Sequence, residues 1–516
     1  ELAKDKSSPK YYFMDGSPQA ADVWFYPTPT ADPSHVDQWR TVLLGNMRQG
    51  GRVMWALDVT DPPDASHPQG LDASLPYPGY LWEFPCEAAA DLKCTGGGSH
   101  SYSEYMGETW SDPIITRIRA SVGGDDNSGK GYDRWVAIFG AGYAEESDPN
   151  VSLEYDSSSD SGTSRAGRAV FVVDIKTGDL IAMKRFSHDV SQGDPRMQFS
   201  LAATPAVFDL DFDGYADVVY LGDLGGNLWK WVIKDLATLP GSGAMVADAQ
   251  LDQPTWPWIR LMEADHCEFD GANPTNCPVD HYRSFFFPPT GALIHGTLWL
   301  AFGTGERNQL DFEGYSGTDQ ENNRFYVLKD RDPWETTGMP PASEARYNDF
   351  AGSTDFVPVD VATTCNYPDA PEIGFYIEAV DSEKFITNSS IFFGDVYTLS
   401  FIPDQESDPC TAGGDSQLYG FDLRCAEGAF TSQSTGSSEI ARQIEIGGGV
   451  PNRPRVSVGP SSSGASSCSG EGCENEEDAG CRNMVVVITS DGTAYSDAPN
   501  TDCPTGVQLE SWRDSR

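Results

Sequence analysis

The chain has 516 residues, with 34 Lys and Arg against 78 Asp and Glu, for a formal net charge of −44. This balance argues against nucleic acid, whose phosphates need Lys and Arg, and against docking on an anionic membrane surface. No apolar run approaches 18 residues, so no membrane insertion is expected.

The first residue, Glu1, is not an initiator and no signal-peptide pattern follows it, so a processed chain or a fragment is expected. Short apolar runs separated by Gly, Pro, Asp and Asn dominate, and long helical periodicity is nearly absent. That pattern predicts an all-β protein. Length alone suggests two or three domains, but all-β chains often exceed that prior, and no clear second domain is expected within residues 1–516.

A three-strand phrase recurs along the chain. Its first element is a Pro-containing run, as at 111–116 and 203–208. Its second is a buried strand ending in Gly, at 39–45, 135–140, 217–222 and 298–303. Its third starts near Gly or Asn and closes the phrase, at 51–58, 168–174, 226–231, 323–328 and 417–422. A sixth set spans 450–454, 484–489 and 492–495. The first elements recur roughly every 60–100 residues, whereas a plain propeller blade takes about 40–50, so long loops must be inserted. Radial repetition of short antiparallel sheets removes open edges, and it predicts a β-propeller rather than a sandwich. Residues 157–164 and about 460–482 read as loops, the second a long insertion carrying Cys468, Cys473 and Cys481.

Between the Pro-containing run at 203–208 and its Gly-ended strand lies the most informative stretch, Asp-Leu-Asp-Phe-Asp-Gly-Tyr-Ala-Asp at 209–217. Asp209, Asp211, Asp213 and Asp217 occupy positions 1, 3, 5 and 9 of a calcium loop, Gly214 occupies position 6, and Tyr215 at position 7 offers its backbone carbonyl. Position 12 is Tyr220 rather than a bidentate Glu, and a β-rich run follows instead of a helix. The spacing therefore predicts a Ca²⁺ site grafted onto a strand, binding at micromolar strength or weaker. The bland alternative is a solvated acidic turn in an acid-rich chain.

The eleven cysteines lie mostly in polar loops, which suits disulfides in an oxidising compartment. Cys86–Cys94 and Cys267–Cys277 are the easiest pairs, and the odd count leaves at least one cysteine free or modified if the chain is complete. His266 beside Cys267 is the one hint of zinc, without any CxxC, and the lack of CxxCH argues against c-type haem. Carboxylate pairs for glycoside hydrolysis carry no signal among 78 acids. No nucleophile elbow or phosphate loop is present. The seven histidines lack metal spacing, and His295, among apolar neighbours, is expected to pack in the core.

Taken in order, the phrases at 39–45, 50–51 with 56–62, 136–142, the calcium loop, 222–229, 302–305, 408–414 and 511–513 resemble the C-terminal propeller of PilY-type proteins, the type IV pilus tip adhesins and biogenesis factors. The resemblance implies seven blades, one of them irregular or assembled from both termini, with 450–458 and 511–513 helping to close the ring. It places the family's calcium ligands on Asp209, Asp211, Asp213, Asp217 and the carbonyl of Tyr215. It implies calcium-responsive control of pilus extension and retraction, surface attachment, pilin or minor pilins as partners at an extracellular pilus tip, and a host or abiotic surface as target. The adhesive region that such proteins usually carry upstream is not among these residues, and no Arg-Gly-Asp motif is present. The phrase at 172–178 resembles repeats of quinoprotein dehydrogenases, which makes a calcium-dependent quinone oxidoreductase the enzyme alternative. The adjacent Cys pair usual in such sites is missing, and the phrase more simply closes a strand with a turn.

Overall fold

A computed structural model describes residues 14–25, 38–63, 77–85, 102–119, 133–148, 152–153, 164–233, 256–264, 268–270, 273–276, 282–307, 322–335, 337–339, 345–349, 355–359, 373–403, 413–430, 441–459, 482–489 and 494–497. Among these residues the regular structure is strand, apart from one 3₁₀ turn at Tyr102–Tyr105, as the composition predicts. No helix among them is long and apolar enough to cross a membrane. The chain divides into two compact units, Glu1–Pro288 with Pro333–Phe350, and Pro289–Asp332 with Ala351–Arg516.

The first unit holds three large sheets. β1 (Gln19–Phe25), β2 (Gln38–Asn46), β3 (Met54–Asp58) and β4 (Gly79–Phe84) pair antiparallel in that order. The next sheet contains β5 (Ile114–Arg119), β6 (Asp133–Gly140), β9 (Ala169–Asp174) and β10 (Leu180–Arg185), ordered β10-β9-β6-β5, after the small pair β7 (Ser147–Asp148) and β8 (Ser152–Leu153). The third contains β11 (Ala206–Phe208), β12 (Val218–Gly222), β13 (Asn227–Val232) and β14 (Trp258–Glu263), with Tyr347–Asn348 added in parallel. A short hairpin, β15 (Glu268–Asp270) with β16 (Asn273–Asn276), follows.

Side-chain alternation explains why the middle strands read as unbroken apolar runs. From β6 and β9, Ala137, Phe139, Phe171 and Val173 join Val42, Met54 and Trp82 of the first sheet in one core cluster. The intervening residues Val136, Ile138, Val170 and Val172 join Val219, Leu221, Trp229 and Trp231 of the third sheet in another. A sheet covered on both faces needs apolar side chains at every position, not every second one.

The second unit repeats the scheme. β17 (Thr290–Ile294), β18 (Thr297–Gly303), β19 (Arg324–Asp330), β21 (Phe356–Pro358) and β22 (Gly374–Glu378) form one sheet, Tyr347–Asn348 being β20 in chain order. β23 (Lys384–Phe385), β24 (Ser390–Phe392), β25 (Asp395–Pro403), β26 (Gly414–Asp422) and β27 (Gln443–Gly448) form the next. β28 (Arg455–Gly459), β29 (Arg482–Ile488) and β30 (Ala494–Asp497) form the last. Phe325, Val327 and Phe375 pack on Val396, Tyr419 and Phe421, while Tyr397, Leu399 and Leu418 pack on Val487.

The described residues thus form six sheets of three to five strands, one for each sequence phrase. The glycines that end the second strands sit where a side chain has no room. A Cβ on Gly45 would lie 2.0 Å from the Trp55 ring, and on Gly222 and Gly303 it would lie 2.2 and 2.3 Å from Phe285 and Phe385. His295 corrects one expectation. It is exposed at the tip of the β17–β18 hairpin, with φ of 49° followed by Gly296 at 81°. Its apolar neighbours are the flanking strands of a two-residue turn, not a core around it. The pairs Cys86–Cys94 and Cys267–Cys277, the insertion at 460–481 and the 511–513 end lie outside the described residues.

Candidate metal site in the loop between β11 and β12

The acidic stretch forms the connection between β11 and β12. Its carboxylates fold the loop by accepting its own amides. Asp209 takes the Gly214 N–H at 2.8 Å and the Asp213 N–H at 3.2 Å. Asp211 also accepts the Asp213 N–H, at 3.3 Å. Asp217 accepts the Leu210 N–H at 2.7 Å and Asp213 accepts the Tyr215 N–H at 3.0 Å. The tight path needs left-handed backbone at Phe212 (φ 60°) and Gly214 (φ 89°); glycine adopts that conformation freely.

Three of the four acids converge. Asp209, Asp211 and Asp217 each offer a carboxylate oxygen within 4.8 Å of the others, graded from exposed Asp211 through half-buried Asp209 to buried Asp217. Like charges that close repel by roughly 1–4 kcal/mol per pair between bulk water and a protein surface. A hard cation reverses that sign, and an all-oxygen donor set is what Ca²⁺ takes. The residues therefore fit the ion: Asp209, Asp211 and Asp217 would hold it, and it would supply the positive charge that locks the loop.

Asp213 does not join this group. One of its oxygens pairs with Arg119 at 2.8 Å. The Tyr215 side chain points to the same neighbouring strand, where its hydroxyl accepts from Arg117 at 2.8 Å. Tyr220, at position 12, is fully buried in β12 and lies edge-on to Phe208. Sequence reasoning missed Arg117 and Arg119. Their signal was present as alternating basic residues in β5, but nothing local ties β5 to a loop some ninety residues later.

A second motif, 222–229, proves to be a turn. Asp223 is fully buried. Its carboxylate accepts from the Gly225 and Asn227 amides at 3.0 Å, from the Asn227 side chain at 3.0–3.1 Å and from the Trp229 indole at 2.8 Å. Burial pushes this carboxyl up to about 6, against the pull of those donors. The phrase at 172–178 is likewise a turn: the Asp174 carboxylate accepts the Lys176 and Thr177 amides, and Gly178 has φ of 78°.

The repeated sheets and the acidic loop define a β-propeller protein with a carboxylate-bearing loop in one blade. Residues 6–248 match the PilY1 beta-propeller domain. It is 31% identical over 232 residues to a type IV pilus biogenesis factor PilY1 homolog of Xylella fastidiosa, covering 44% of this chain and 11% of that protein. It is 26% identical over 222 residues to type IV pilus biogenesis factor PilY1 of Pseudomonas aeruginosa, covering 43% of this chain and 13% of that protein. The chain thus spans a small part of these relatives' length. The crystal structure of the P. aeruginosa PilY1 C-terminal domain superposes with a TM-score of 0.52 at 18% identity, over 93% of this chain and 83% of that one. That likeness is one of fold, and the propeller expected from the sequence is the fold found.

Proposed function

We propose that this chain is the calcium-binding propeller of a type IV pilus biogenesis factor, acting without catalysis. In this reading it lies at the cell exterior at the pilus tip and contacts pilin or minor pilins. Through its metal loop it regulates extension, retraction and attachment to a host or abiotic surface. Two features of one region carry the reading. The converging carboxylates of Asp209, Asp211 and Asp217 fall inside the segment that matches the PilY1 propeller. Asp213 and the Tyr215 carbonyl complete the ligand set that the family resemblance places there. Seven blades, a single propeller over 1–516 and disulfides at Cys86–Cys94 and Cys267–Cys277 belong to the same proposal.

Cation binding orders the loop between β11 and β12, and such ordering controls function only if a partner distinguishes the two states. The test replaces Asp209 and Asp217 together with Ala. Calorimetric titration with CaCl₂ should give heat in the wild type and none in the variant. In the intact gene, the same change should alter pilus extension, retraction and attachment. Equal heats in the two proteins, or unaltered pilus behaviour, would count against it.

A further inference from the structure

The acidic loop is also fastened to the neighbouring sheet. The Ala216 N–H donates to the Arg117 carbonyl on β5 at 2.8 Å. The Tyr215 ring lies within cation–π reach of two guanidinium groups, 4.4 Å from Arg117 and 4.3 Å from Arg119. Arg119 in turn holds Asp213 at 2.8 Å, with the two side chains 39% and 31% exposed. Arg117 also sits over Trp135 at 5.8 Å, and Trp135 meets Trp39 edge-on at 6.3 Å.

We propose that Arg119 is a built-in competitor for the cation of this loop. Its guanidinium occupies Asp213, the one loop acid that stands apart from the converging three. An ion entering among Asp209, Asp211 and Asp217 draws Asp213 from Arg119. Arg119 therefore lowers affinity, both by holding that acid and as a permanent positive charge beside the site. The competition also ties occupancy to β5, because the arginine that loses Asp213 is one of the two over Tyr215. This role rests on the calcium reading proposed above, and it makes Arg119 a positioning residue rather than a ligand.

Arg119→Gln removes the charge and keeps a shorter polar side chain. Calcium titration of the whole chain at low salt should show binding on the order of tenfold tighter, with the difference shrinking as salt screens the site. Arg119→Lys keeps the charge and should stay nearer the wild type. Simple structural damage would weaken binding, so the direction separates the two roles. Thermal melting without calcium checks that the variants fold. Should Arg119→Gln not fold, calcium soaked into wild-type crystals reads the same point: the Arg119–Asp213 distance should open past about 4 Å, the limit of an ion pair. Unchanged or weaker binding in a folded Arg119→Gln, or a pair retained with calcium bound, overturns the competitor role and leaves the calcium reading standing. No heat from the wild type overturns both.

Discussion

Asp223 shows how one buried acid organises a turn. Its carboxylate faces N–H donors from Gly225, Asn227 and Trp229, so Asp223→Asn sets an amide NH₂ against donors. That change should cost about 2–4 kcal/mol in urea unfolding, because it leaves buried donors unmatched. Asp395 is a different case. It lies opposite Asp422 in the β25–β26 pair, and burial, then the Asp422 charge, pushes its carboxyl up to about 6. A folded value above the ordinary one means that the folded state holds the proton more tightly. The contribution is therefore fully present below about 4 and lost as pH rises through about 6. Asp395→Asn cannot lose it, so denaturant melts should show the variant gaining on the wild type between pH 4 and pH 7, by about 1–2 kcal/mol. A constant difference across that range would refute the assignment.

At the scale of elements, the Gly-ended strands are places of close approach. Gly45→Ala would drive a Cβ to 2.0 Å from the Trp55 ring, and overpacking of this kind costs about 1–3 kcal/mol or more. Gly296, with open space around it but φ of 81°, should lose only about 1 kcal/mol on change to Ala. Thermal melting of the two variants tests the ranking. The repeated phrases were legible because middle strands such as β6, β12 and β18 are buried on both faces. Other strands were not. β10, β14, β22 and the nine-residue β25 (Asp395–Pro403) carry no Gly-ended signature, and β4 (Gly79–Phe84) alternates buried and half-exposed positions. Their place is set by pairing with strands already in position.

For the whole molecule, the net charge of −44 opposes compaction through self-repulsion, and a divalent cation in the loop between β11 and β12 would offset part of it locally. Under the proposed function, calcium at a hundred times its dissociation constant should stabilise the folded chain by about 2.7 kcal/mol. The midpoint of thermal unfolding should rise in the wild type and stay put when Asp209 and Asp217 are both Ala. A rise of equal size in that variant would point to general screening by the ion, with no role for the loop.

The acid spacing at 209–217, the Gly-terminated apolar runs and the turn at 172–178 are local, and one-dimensional pattern was enough to read them. That pattern predicts an all-β repeat and a calcium-type loop. Three things depended on how segments pair and pack. The grouping of Asp209, Asp211 and Asp217 apart from Asp213 needed Arg119 of another sheet. The exposure of His295 needed the hairpin that carries it. The close packing at Gly45, Gly222 and Gly303 needed the aromatic rings that arrive from other segments. Spacing decides which side chains a loop can present, and the neighbouring sheet decides which of them remain available to an ion.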